Sequence, residues 1–217
     1  ASHDLKSPIA NIEGLMLLLE EQIESAEPLP GEPTEPLFIM IKDSIARFKN
    51  VIRDLTDIAK VQRDVDGDAE PLNLDEIYKK LYHSLKDEAK KNNAVIETDF
   101  SEAPEINFSR KNMYSILYNL VSNALKYSAP DIQPEVQIKS SRKGKYLLLS
   151  VTDNGLGMNE EQQSKLFTLF KRFHSHVDGT GMGLYIVKRI IDNSGGEIDV
   201  NSKVGKGTTF RLYFKNE

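Results

Sequence analysis

A chain of 217 residues with 28% charged side chains and a net charge of −5 has room for one large domain or two small ones, and its acidic balance argues against a nucleic-acid partner. It contains no cysteine, which excludes disulfide frameworks, thiolate zinc sites and cysteine nucleophiles. No stretch approaches the roughly 20 apolar residues of a membrane span; membrane association is expected only through an upstream segment, if any, and a cytoplasmic location is expected.

The first expected unit is residues 1–66. Leu5, Ile9, Ile12, Met16, Leu19 and Ile23 recur at alternating gaps of four and three, as do Ile41, Ile45, Phe48, Ile52, Leu55 and Ala59. Such spacing predicts two helices with heptad seams. Between them "SAEPLPGEPTEP" carries prolines that neither helix can continue through. A lone helical hairpin has little core, and Leu15, Leu17, Leu18, Val51 and Ile58 widen its apolar face. Two copies forming a dimeric four-helix bundle bury that face most economically.

After the polar linker "RDVDGDAEP", a second unit is expected over residues 71–217. Asn73 and Glu76 predict a capped helix to about Asn92, and "AVIETDF" predicts a strand. Ser109 is placed to cap a long helix ending near Tyr127. "EVQIKSS" and "KYLLLSVTD" read as a strand pair, and Asn159 with Gln162 as a further helix start. Phe167, Phe170 and Phe173 share helical spacing and read as packing residues. A helix over Gly183 to about Asn193 precedes a closing hairpin, "GEIDVNS" with "GTTFRLYF". The expected fold class is therefore α+β, with helices on one face of a mostly antiparallel sheet.

Candidate chemistry begins at His3. At about 100° per residue it falls on the side opposite the heptad stripe, in line with Ser7, Ala10 and Gly14. Asp4 can accept a hydrogen bond from one ring nitrogen, leaving the other nucleophilic. Pro8 cannot donate to the carbonyl of residue 4, so the turn around His3 is loosened. On these residues alone an ordinary surface histidine stays the commoner reading.

Asn119, Asn123, Lys126 and Tyr127 lie on one side of their helix, opposite Leu117, Leu120, Val121 and Ala124. Two neutral amide oxygens and an ammonium suit a hydrated Mg²⁺ beside a polyphosphate. Asp153 ends an apolar strand, and Gly155 and Gly157 follow in a turn that lets a flat base approach the backbone. Gly179, Gly181 and Gly183 lead into a helix, an arrangement that favours phosphate. A dinucleotide-binding loop is excluded there, because no strand precedes it and the spacing is G-x-G-x-G. His174 and His176 suggest a metal only weakly, since two histidines make a poor ligand set.

In order, "HDLKSP", "NLVSNALKYS", "DNGLGM", "LFTLFKRF", "GTGMGL" and "GKGTTF" run from His3 to the last strand. With that order the chain resembles the bacterial sensor histidine kinases of two-component signalling over essentially its whole length. The resemblance implies a dimerisation and phosphoacceptor hairpin, then an α/β sandwich of the kind shared with type II topoisomerases and heat-shock chaperones. It implies ATP and Mg²⁺, autophosphorylation of His3 with Asp4 orienting the imidazole, and transfer to an aspartate of a response-regulator receiver domain. Asp153 would contact adenine, with Gly155 and Gly157 shaping its pocket. Asn119, Asn123, Lys126, Tyr127, Gly181 and Gly183 would serve the nucleotide and phosphates, with Asn123 the direct metal ligand. Gly205 and Gly207 would serve strand packing.

Ser7 stands where many relatives carry a Thr or Asn that positions water for phosphatase action. Only five residues, "HSHVD", separate two of the boxes, which implies a compact lid with Lys171 and Arg172 within reach of phosphate. Two further readings compete: a dimeric interaction module gated by nucleotide without phosphorylating itself, and a stand-alone ATPase.

Overall fold

The structure is a computed structural model, and it describes residues 12, 14–18, 38–46, 48, 49, 52, 69–129, 131–171, 173 and 181–215. The chain divides into Ala1–Ala59 and Lys60–Glu217. In the first unit the described residues are helical, around 14–18 and 38–46. They expose Met16, Leu17, Leu18, Phe38, Ile39 and Met40. The Pro-rich turn and half of the seam residues, Leu5, Ile9, Leu19, Ile23, Leu55 and Ala59, lie outside the described residues.

The second unit runs β1 (Glu70–Asn73), α1 (Leu74–Lys91), β2 (Val95–Asp99), β3 (Glu105–Phe108), α2 (Arg110–Lys126), β4 (Glu135–Lys143), β5 (Tyr146–Asp153), α3 (Glu160–Ser164), α4 (Gly183–Asn193), β6 (Glu197–Lys203) and β7 (Gly207–Lys215). Five strands form one sheet in the order β2-β4-β5-β7-β6, and β1 pairs with β3 apart from it. The β2–β4 pair is parallel and the other pairs are antiparallel.

Local chemistry accounts for each helix. Asn73 Oδ1 accepts from Glu76 N–H at 3.1 Å, while Asp75 and Glu76 in the first turn and Lys90 and Lys91 in the last oppose the macrodipole. Only this half of the expected capping box is present. Ser109 caps α2 through Asn112 N–H. At α3 the box is complete: Asn159 Oδ1 accepts from Gln162 N–H at 2.8 Å and Gln162 Oε1 from Asn159 N–H at 2.9 Å.

Burial shows which face each element turns inward. Leu74, Ile77, Leu81, Leu85 and Ala89 of α1 are buried, with Ile116, Leu117, Leu120, Val121 and Ala124 of α2 and Ile186, Val187, Ile190 and Ile191 of α4. They meet Val136 and Ile138, Leu147, Leu149 and Val151, and Phe210, Leu212 and Phe214 from one face of the sheet. The alternating positions on the other face are polar or only half-buried. Helix α2 packs against α1, α4, β4 and β5, so its polar stripe runs along the edge of this core.

The phenylalanine run follows the end of α3 at Ser164 in turns, with Phe170 at φ +61°, and Phe167, Phe170 and Phe173 are half-buried. One expectation needs correction. A side chain on Gly205 would meet open space rather than a packed strand; its glycine answers a φ of +72° instead, while its N–H donates to Leu156 O at 2.7 Å.

Candidate nucleotide site

Asp153 closes β5 two residues after Val151, so its carboxylate falls on the helix-covered face. Thr208 stands opposite it on β7. Asp153 Oδ1 accepts from Gly155 N–H at 2.9 Å and Thr208 N–H at 3.1 Å. Among the described residues no donor reaches Oδ2. Burial pushes the carboxyl pKa up to about 6 although both N–H groups act to lower it. The result is a fixed carboxylate with one acceptor edge unused.

The turn after Asp153 is held from several sides. Asn154 Oδ1 accepts from Glu135 N–H and its Nδ2 donates to Gln133 O, each at 2.9 Å. Leu156 N–H donates to the Tyr127 carbonyl at 2.9 Å, and a Cβ on Gly155 would press on that carbonyl and on Asp153 Oδ1. Gly157 has φ +64°, and any side chain there would strike the Lys203 carbonyl. Met158 N–H donates to Ser202 Oγ at 2.9 Å, and Gln163 Nε2 donates to both Met158 O and Ser202 O. Gly207 lies so close to Asp153 O that no Cβ fits. These contacts bind the turn to the end of α2 on one side and to the β6–β7 hairpin on the other.

At the far end of the α2 stripe, Asn119 Nδ2 donates to Ser115 O at 2.8 Å. Its Oδ1 is thereby directed at the first residue of α4, where a Cβ on Gly183 would collide with it. Met182 precedes α4 and supplies no side-chain cap, so this helix start keeps its N–H groups clear of capping by its own residue. Asn123 lies between, half-buried, and its amide has no hydrogen-bond partner among the described residues. Asn119 to Tyr127 spans about 12 Å along the helix axis. Lys126 is exposed and Tyr127 half-buried on the same helix.

Asp153, Gly155, Gly157 and Tyr127 thus gather at one end of the stripe, and Asn119 and Gly183 at the other. Gly181 has φ +73° and lies against the backbone of Phe170 and Lys171, where Lys171 is exposed. His3, Asp4, Ser7 and Arg172 lie outside the described residues. Sequence reasoning missed three contributors: Thr208 as the second donor to Asp153, Ser115 as the anchor of Asn119, and Ser202. Ser115 carries a usable signal, since it stands four residues before Asn119, the same interval that separates Asn119 from Asn123.

The profile of the histidine kinase-, DNA gyrase B-, and HSP90-like ATPases matches residues 109–217, half of the chain. The chain belongs to that ATPase family. Two relatives that align with nearly the full chain are histidine kinases. The methanogenesis regulatory histidine kinase FilI of Methanothrix harundinacea is 30% identical over 208 residues, and the histidine-protein kinase ArlS of Staphylococcus aureus is 28% identical over 220. These matches cover 95% and 99% of this chain but only 23% and 47% of those proteins. The Acinetobacter baumannii histidine kinase AdeS shares the fold with a TM-score of 0.76 at 22% identity, covering 98% of this chain and 97% of that one. The catalytic domain of the kinase ThkA aligns with 68% of this chain at a TM-score of 0.59 and 25% identity, covering 95% of that chain. ThkA solved with its response regulator TrrA gives a TM-score of 0.72 at 20% identity, with coverage of 100% and 60%.

Proposed function

We propose that this chain is the catalytic core of a two-component protein-histidine kinase. It transfers the γ-phosphoryl group of ATP to His3 and from there to an aspartate of a response-regulator receiver domain. The observation that carries the reading is the alignment of three features along one helix: an acceptor carboxylate beside Tyr127, an unpaired amide at Asn123, and an uncapped helix start beside Asn119. A base at Asp153 and phosphates toward α4 fit that sequence of chemistries.

In this reading Asp153 Oδ2 accepts from the exocyclic amine of adenine, and Gly155 and Gly157 let the ring lie against the backbone. Lys126, Lys171 and Arg172 offer positive charge to the phosphates, Tyr127 flanks the nucleotide, and the Gly181–Gly183 approach brings backbone N–H groups to them. The described residues hold no cluster of three acidic or histidine side chains able to bind a metal. Asn123 instead offers a neutral oxygen, which fits an Mg²⁺ whose other ligands are phosphate and water oxygens. When bound, that ion neutralises phosphate charge. A neutral amide achieves this without repelling the polyphosphate.

His3 attacks phosphorus in line: a P–N bond forms, the bond to the β,γ-bridging oxygen breaks, and ADP departs. Asp4 holds the ring so that the attacking nitrogen is unprotonated, and it offsets the imidazolium charge. Two copies pairing through the hairpin cover its exposed apolar residues. Receiver docking on the stripe of Ser7, Ala10 and Gly14, with Ser7 positioning water for dephosphorylation, completes the reading. Labelling with γ-phosphate-labelled ATP tests it. Wild type should acquire acid-labile, base-stable label that His3→Gln and Asp153→Asn both lose; label that persists in His3→Gln would refute it.

A further inference from the structure

Ser202, on β6, lies outside every motif that carries the proposed chemistry, yet its hydroxyl meets three partners. Met158 N–H donates to it at 2.9 Å, it lies 3.0 Å from the Gly207 carbonyl, and it lies 2.9 Å from Thr208 Oγ1. A serine hydroxyl has one proton and two lone pairs. The Gly207 carbonyl can only accept, so it takes the Ser202 proton. Met158 N–H can only donate, so it takes one lone pair. The contact with Thr208 is then made in one direction: Thr208 donates its proton to the second Ser202 lone pair. Every valence of Ser202 is filled and the direction of the Thr208 hydroxyl is set.

Thr208 pairs in register with Asp153, and both side chains lie on the helix-covered face of neighbouring strands. Thr208 also donates its N–H to Asp153 Oδ1, which ties the two groups into one unit. With its proton committed to Ser202, the Thr208 oxygen has only lone pairs left. Oδ2 of Asp153 is likewise an acceptor. We propose that Ser202 is a specificity-determining positioning residue: by taking the Thr208 proton it leaves the pocket beside Asp153 with acceptors alone, so that a 6-amino purine is preferred over a 6-oxo purine. The inference rests on the reading of this pocket as the base site. A 6-amino group brings donors to these acceptors. At position 6 an oxo group sets a third acceptor against these two, and the N1–H that accompanies it cannot satisfy that oxygen; an unsatisfied polar group in a partly buried site is costly.

Calorimetric titration of the full chain with Mg·ADP and with Mg·IDP, its 6-oxo counterpart, tests this. Wild type should prefer ADP. Ser202→Ala releases the Thr208 proton to turn toward a 6-oxo group, and the ADP-to-IDP preference should shrink about tenfold, the size of one hydrogen-bond mismatch. Ser202→Thr keeps the hydroxyl and should keep the wild-type ratio. In a Thr208→Val background Ser202→Ala should change the ratio no further. An unchanged ratio in Ser202→Ala, or an equal shrinkage with and without the Thr208 hydroxyl, would overturn the inference; the second result would mark Ser202 as a brace for the turn only. Asp153→Asn separates the underlying reading: if it bound ADP as wild type does, the base-site assignment itself would fall, and this inference with it.

Discussion

Two backbone N–H groups, from Gly155 and Thr208, converge on one oxygen of Asp153, and burial still pushes its pKa up to about 6. A carboxyl whose folded pKa lies above its unfolded value of 3.8 binds its proton more tightly when folded. The stability this contributes is complete below pH 4 and is lost as pH rises through about 6. Asp153→Asn, which keeps an acceptor for both N–H groups, should therefore unfold at higher denaturant than wild type at pH 8, by up to about 3 kcal/mol. The gap should close near pH 4, and a gap that widened there would contradict the assignment. Adenine binding favours the ionised form, so between pH 5 and 6.5 (a range of about one unit around the folded value) ADP binding should release a proton, read by calorimetry in buffers of different ionisation enthalpy. Asn119 makes the other residue-scale case. Its Nδ2 holds the Ser115 carbonyl, and an aspartate cannot donate there and would set a negative charge against phosphate. Asn119→Asp should weaken Mg·ADP binding at least about tenfold.

Among elements, the β6–β7 hairpin and the turn after β5 illustrate how glycine is used for two different reasons. Gly205 has φ +72° and open space around it, whereas Gly207 has φ +87° and sits against the Asp153 carbonyl. Gly205→Ala should cost about 1–2 kcal/mol from backbone conformation alone, and Gly207→Ala distinctly more, because β7 must also move away from β5. Hydrogen exchange at β5 and β7 amides measures both. The elements that sequence revealed are those fixed by neighbours along the chain: the Ser109 and Asn159 caps, the apolar alternation of β5, and the helix α4. The short strands β1 and β3 were hidden because each has four residues and gains its stability from Leu72 and Ile106 packing across a non-local pair. The Ser202 contacts were hidden for the same reason, since they exist only once β6 and β7 are in register.

For the whole molecule, the candidate residues stood out in the sequence because they fall in compact runs: Asn119 with Asn123, and Asp153 with its glycines. Their environment was not readable, because the raised pKa of Asp153 and the direction of the Asn119 amide arise from contacts between distant segments. The kinase reading depends on His3. The most direct test is mass measurement of the full chain after incubation with Mg·ATP, with peptide mapping kept at neutral to alkaline pH. The account predicts a single added phosphoryl group on the peptide that contains His3, absent from His3→Gln and from Asp153→Asn. ATP turnover with no phosphoryl group on that peptide, or with one carried on a hydroxyl side chain elsewhere, would contradict it.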